Sequence, residues 1–181
     1  MKRVQALSRY PAVLVAIHWL TLVLVVLAYL SMEFRGVFPR GSEARAWMAF
    51  VHVSAGLSVL LLVLARIVVR LRTRMAPISP APGKALAIAA AAGHAALYLF
   101  MLAMPLLGWL IVSAEGKVPS LWGLPVPALI GPDRALAHQL EELHELGALV
   151  GYWLIGLHVA AALYHHHVRR DDTLRRMLPG A

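Results

Sequence analysis

Apolar residues gather into four long runs, roughly residues 11 to 32, 47 to 69, 85 to 113 and 144 to 164, separated by shorter stretches rich in Arg, Pro and Gly. Each run reaches the length of about 20 residues that a helix needs to cross a bilayer. The pattern predicts an all-α, integral membrane, up-down four-helix bundle that uses residues 1–181 as a single domain. The first run follows Lys2, Arg3 and Arg9, as a signal peptide would, but its apolar part exceeds the roughly 7 to 15 residues of a signal core and reads as a retained helix. Between residues 66 and 84, Pro77, Pro80 and Pro82 remove backbone donors and rule out one continuous helix, so this connector reads as an extended loop.

Composition supports this architecture. Hydrophobic residues make up 60% of the 181 positions and charged residues 14%, and the mean hydropathy is +0.71, too apolar for an ordinary soluble domain and suited to contact with membrane lipid. There is no cysteine, which excludes disulfides, thiolate-bound iron–sulfur clusters and covalent c-type haem attachment. The formal charge of +8 does not signal nucleic acid, because the basic residues flank the apolar runs and form no separate patch. Twelve of the 17 Lys and Arg lie at the N-terminus, in the 66–84 connector and in the C-terminal tail. Lys and Arg resist translocation, so both termini are expected on the cytoplasmic side.

The nine histidines carry the chemistry. Ionisable groups inside a bilayer are costly and point to function. His18, near the inner start of the first run, shares a depth with His158, near the inner end of the fourth. His52 and His144 share the other level, near the outer starts of the second and fourth runs. The fourth run therefore supplies one member of each pair, 14 residues apart, a rise of about 21 Å that returns to nearly the same helix face. Two imidazoles on one iron leave no open coordination site, which suits electron transfer. The fold prediction becomes a four-helix membrane bundle with two haem b groups, held by His52 with His144 and by His18 with His158. Gly151 lies midway between His144 and His158. It either lets a macrocycle approach the backbone or, with Gly147, forms a small-residue helix contact. Arg66 lies on nearly the same face as His52, with Arg70 one turn further on; each pairs with a haem propionate or serves as an interfacial anchor. His94 is the rival ligand on the inner side, and His138 reads as a solvated residue of the outer connector. Trp19, Trp109, Trp122 and Trp153 read as interfacial or packing aromatics.

The segments IHWL at 17–20, MEFRGVFPR at 32–40, VHVSAG at 51–56, IGLHVAAALYHH at 155–166 and DTLRRMLP at 172–179 together resemble the bacterial cytochrome b561 family, most closely its small superoxide oxidase branch. The resemblance spans nearly the whole chain. It implies a multi-pass protein of the bacterial inner membrane that oxidises superoxide at the periplasmic side and reduces ubiquinone near the cytoplasmic side. It assigns the same four histidines as haem ligands and adds His165 as a quinone contact. His165 lies one heptad beyond His158, about 10 Å nearer the cytoplasm, where an imidazole can relay a proton; the alternative for His165, His166 and His167 is a basic interfacial cap.

Superoxide is an anion, so positive potential near the outer haem should assist it. Arg35 and Arg40 are the candidates, and Lys117 is a weaker one. The first outer connector carries net +1 and the second net −3, so any steering must come from a local arginine cluster. Two other readings follow from the same residues. One is a cytochrome b subunit relaying electrons between quinone and a partner dehydrogenase or redox protein. The other is a haem-free transporter whose histidines bind metal ions or protons.

Overall fold

A computed structural model describes residues 10–73 and 77–178. Lys2, Arg3 and Arg9, which enter the orientation argument, lie outside the described residues, as do Arg74 and Pro179.

Four long helices form, α1 (Ala12–Arg35), α2 (Glu43–Arg72), α3 (Lys84–Ala114) and α4 (Arg134–Tyr164). All four are long and apolar enough to cross a membrane. Their outward faces carry large apolar side chains, such as Val23, Leu61, Leu99 and Leu157. Such a surface suits lipid, where each backbone polar group must be paired within its own helix. Adjacent helices in the sequence pack on one another, α1 on α2, α2 on α3 and α3 on α4. Consecutive helices alternate in direction. One end of the bundle, the termini face, holds the start of α1, the loop between α2 and α3, and the tail. The other holds the 36–42 turn and the 115–133 segment.

Two helices start earlier than the apolar pattern indicates. α2 begins at Glu43, where the Ser42 hydroxyl accepts from the Arg45 amide. α4 begins at Arg134, where the Asp133 carboxylate accepts from the Leu136 amide. These side-chain N-caps satisfy amides that a helix start leaves open, so polar first turns extend each helix beyond the hydrocarbon. His138 therefore sits on α4, exposed and 3.6 Å from Glu142 one turn on, and not in a connector. α2 in turn runs on to Arg72, which puts Arg66 and Arg70 on a helix and shortens the loop between α2 and α3.

α3 continues through Pro105. The 115–133 segment contains a short antiparallel hairpin, β1 (Ser120–Leu121) with β2 (Leu124–Pro125), which apolar periodicity did not reveal. Side chains of α2 fasten it. The buried Ser54 hydroxyl donates to the Ser120 carbonyl and accepts from the Trp122 amide, while the Trp122 indole donates to Ser58. This ties the segment to α2 just beyond His52.

Beyond α4 the chain widens into a π-helical turn at His165–Arg169, passes through left-handed Arg170 (φ 54°, ψ 34°) and ends in a short 3₁₀ turn at Arg175–Met177. The tail folds back on the termini face. The Trp19 indole donates to the Met177 carbonyl, the Ser79 amide to Asp172, and the Arg176 guanidinium to the Pro77 carbonyl.

Candidate haem and electron-transfer site

The longer helices alter the depth argument without breaking it. His52 and His144 each lie about three turns inside α2 and α4 from the same end, while His18 and His158 each lie about two turns from the termini face. The rings meet as paired. Ring centres of His52 and His144 are 6.0 Å apart, and those of His18 and His158 are 6.2 Å apart. An imidazole nitrogen sits about 1 Å from its ring centre and forms metal bonds of about 2 Å, so two imidazoles on opposite sides of one ion have centres roughly 6 Å apart. Both pairs meet that separation.

The helices bearing the pairs are not the ones packed backbone to backbone. α4 packs on α3, while its histidines face rings on α1 and α2. Each pair thus spans the interior of the bundle, where a flat macrocycle needs room. Among the described residues no group of three or more His, Cys, Asp and Glu converges as a bare ion would require. Two protein ligands per site suit an iron whose other four ligands come from a porphyrin.

Hydrogen bonding orients one ring clearly. His52 Nδ1 lies 2.9 Å from the Ala28 carbonyl, which can only accept. The proton is then on Nδ1, leaving the Nε2 lone pair for a metal. His144 lies against Gly108, where an added Cβ would come within 3.5 Å of the imidazole. Its Nδ1 is buried without a hydrogen-bond partner, a state that metal ligation or a proton-accepting group would resolve. On the inner side His94 also faces His158, with ring centres 5.6 Å apart, and its Nδ1 donates to the Ala90 carbonyl one turn back. The inner level therefore holds three imidazoles, and His94 stays in contention with His18.

Between the two levels the glycines of α4 admit side chains. A Cβ on the buried Gly151 would collide with the Tyr29 hydroxyl and the Phe100 ring, and one on Gly147 with the Met104 sulfur. The space beside Gly151 is thus filled by the side chains of Tyr29 and Phe100. Tyr29 donates to the Ala148 carbonyl and packs on Tyr152, whose hydroxyl donates to Glu33. Arg66 has protein partners as well, the Tyr98 hydroxyl at 3.1 Å and the Leu14 carbonyl at 3.2 Å.

At the face opposite the termini, Arg35 and Arg45 line a shallow cavity of about 220 Å³ with Gly41, Ser42 and Ala46. The Arg45 guanidinium donates to the Arg35 and Phe38 carbonyls, and Arg35 Nε is buried with no hydrogen-bond partner. Arg40 is exposed on the turn. Lys117 is paired with Glu115 at 2.9 Å. Sequence reasoning singled out Arg35 but passed over Arg45, which the capped start of α2 swings back beneath the turn.

At the termini face His165 is buried, and its Nδ1 lies 2.6 Å from an Asp171 oxygen. The Asp171 carboxylate is enclosed. It also accepts from the Thr173 amide at 3.1 Å and from Arg169 Nε at 3.4 Å. Burial alone would raise its pKa, but the hydrogen bonds from His165 and Thr173 prevail and hold the carboxyl below its ordinary value. His166 is half-buried and His167 exposed.

A sequence profile of prokaryotic cytochrome b561 matches residues 9–180. The chain belongs to the prokaryotic cytochrome b561 family. Among its cytochrome b561 relatives, a "probable superoxide oxidase CybB" of Yersinia pestis is 39% identical over 172 residues, covering 95% of this chain and 97% of that one. "Cytochrome b561 homolog 1" of Escherichia coli (strain K12) is 36% identical over 173 residues, covering 96% and 98%. "Cytochrome b561 homolog 2" of the same strain is 34% identical over 187 residues, covering 94% and 92%. Cytochrome b561 membership makes the protein a multi-pass membrane electron carrier and implies haem b. The imidazole pairs and the unpartnered His144 nitrogen fit that group.

Proposed function

We propose that this cytochrome b561 is a superoxide:ubiquinone oxidoreductase of the bacterial inner membrane, with two haem b groups and both termini in the cytoplasm. The observation that carries the reading is the pair of facing imidazoles at each of two depths, 6.0 and 6.2 Å between ring centres, with α4 common to both. His52 with His144 would hold the outer haem and His18 with His158 the inner one. Bound haem supplies a one-electron iron couple, and two protein ligands per iron leave no position for oxygen.

The chain's own residues account for the rest. His52 is fixed in the tautomer that offers Nε2. Arg35 and Arg45 flank a cavity at the outer face, where their positive charge would draw an anion. Arg40 adds exposed positive charge beside them. On the inner face His165 stands about 10 Å beyond His158 along the helix, where it would contact the quinone and pass it a proton. Two superoxide anions, two protons and one ubiquinone yield two dioxygen molecules and one ubiquinol. The name of the Yersinia relative supports superoxide as the donor.

The two Escherichia relatives carry names that specify no donor, which keeps a second reading in view, a cytochrome b subunit relaying electrons between quinone and a partner redox protein or dehydrogenase. A dithionite-reduced minus air-oxidised spectrum with pyridine haemochrome quantitation tests the cofactor. Superoxide-driven ubiquinone reduction by the same purified sample tests the activity. Two haems per chain with rapid quinone reduction are expected. Two haems without that activity would move the donor to a partner protein, and colourless protein would sink both readings in favour of a haem-free transporter.

A further inference from the structure

The tail beyond α4 holds a buried histidine–carboxylate pair that electron transfer alone does not require. His165 belongs to the π-helical turn, and the left-handed Arg170 reverses the chain so that Asp171, six residues on, returns to its ring. The Asp171 amide also donates to the His165 carbonyl, so backbone and side chain both close this loop. Thr173 Oγ1 lies 3.5 Å from the same Nδ1, and the Tyr164 ring centre is 6.2 Å from the His165 ring. Arg169 is the cation facing the carboxylate. A hollow of about 200 Å³ lined by His166, Arg170, Asp171 and Arg175 opens beside the pair. Among the described residues His165 Nε2 has no hydrogen-bond partner.

We infer that Asp171 is a positioning residue for quinone reduction, fixing the His165 proton on Nδ1 so that Nε2 is the nitrogen that exchanges a proton with the quinone. This rests on the proposed quinone contact of His165. A carboxylate can only accept, and at 2.6 Å it commits the Nδ1–H. Neutral His165 then presents a lone pair at Nε2, and the protonated ring presents an N–H there. Ubiquinone takes up two electrons, which two superoxide anions would supply, and two protons. Each proton that Nε2 gives up leaves a neutral ring still bonded to Asp171, and a proton from water at this face of the bundle would restore it. Asp171 stays ionised throughout, because the hydrogen bonds that surround it hold its carboxyl below the ordinary range.

The test uses the full-length haem-loaded protein and its D171N, D171E and H165A variants. Three readouts are followed: haem content, ubiquinone-1 reduction after dithionite reduction of the protein, and the ¹⁵N side-chain signals of His165. The wild type should show an unprotonated Nε2 in the neutral ring. Asn can turn its amide to donate to Nδ1, so D171N should mix or invert the tautomers. It should also slow quinone reduction about tenfold, the lower end for losing a partner that orients a functional histidine, at unchanged haem content. D171E should restore the tautomer and much of the rate. A native rate in D171N, or a lost rate with a native tautomer signal, overturns the inference and leaves Asp171 a purely structural clasp. If D171N loses the fold of the tail, seen as lost protection of the Thr173 amide, the wild-type signal decides, and a proton on Nε2 of the neutral ring refutes the assignment. H165A separates the layers. If H165A is slow and D171N is native, only the role of Asp171 falls; a native rate in H165A removes the quinone contact and the inference with it.

Discussion

Replacing His52 by alanine tests the two-level reading most directly. The substitution removes one of two facing imidazoles at the outer level, together with the Nδ1 bond to Ala28, and leaves the inner rings untouched. With one pair per haem, each level contributes half of the reduced-minus-oxidised α-band, so His52→Ala should lose about half of the low-spin signal. The remaining His144 offers a single ligand, and the outer iron should become high-spin or be lost, taking haem content from two towards one per chain. The broken Ala28 bond adds only about 1 kcal/mol, the usual net value of one hydrogen bond. A folded protein with a half-strength spectrum is therefore expected, and not general collapse. Superoxide should no longer reduce the variant, whereas quinol added from the membrane should still reduce the inner level. Visible spectroscopy, pyridine haemochrome and electron paramagnetic resonance on one sample give all of these quantities. An undiminished low-spin signal in both His52→Ala and His144→Ala would refute the outer pair, and with it the reasoning from ring separation.

Arg35→Gln removes one charge at the outer cavity; at about 1 kcal/mol for a close charge in water, kcat/KM for superoxide should fall roughly fivefold and lose part of its salt dependence in stopped-flow assays. Arg40→Gln should have a smaller effect, because Arg40 is exposed on the turn. Gly151→Leu would force Tyr29 and Phe100 out of the space they fill, and should lower stability by about 1–3 kcal/mol, read as a lower Tm of the purified protein. Because the folded Asp171 carboxyl lies below its ordinary value, its bonds contribute stability that is complete above the usual carboxylate pKa of about 3.9 and is lost as pH falls through the lower folded value. The protection factor of the Thr173 amide, its exchange corrected for the intrinsic pH dependence, should fall across that acidic window and stay flat from there to neutrality.

The transmembrane pattern was readable because hydrocarbon demands long uninterrupted apolar runs, and the same demand made the histidines conspicuous. Their pairing followed from depth alone, since helix rise converts residue number into height. What the pattern hid lay outside the hydrocarbon. The polar first turns from Glu43 and from Arg134 carry no apolar period, although Ser42 and Asp133 were available as capping signals. The hairpin at Ser120–Pro125 is held by hydroxyls of Ser54 and Ser58, which in the sequence look like ordinary small residues of a helix. Asp171 escaped because its pairing with His165 depends on a π-helical turn and a left-handed residue, and both break the regular spacing by which neighbours are counted. Gly151 was ambiguous for a simpler reason, since a missing side chain does not say whose atoms fill the gap, and here they are those of Tyr29 and Phe100.

The order of the helices has a consequence for biogenesis. Both histidine pairs include a ring from α4, the last of the four to leave the ribosome, so a nascent chain with three helices in the bilayer lacks His144 and His158. Nor can the tail clasp Ser79 and Trp19 until residues beyond α4 have been made. With haem held by these pairs as proposed, cofactor capture would be deferred to the end of synthesis, and a chain truncated before α4 should accumulate without colour instead of trapping iron in a half-built and reactive state.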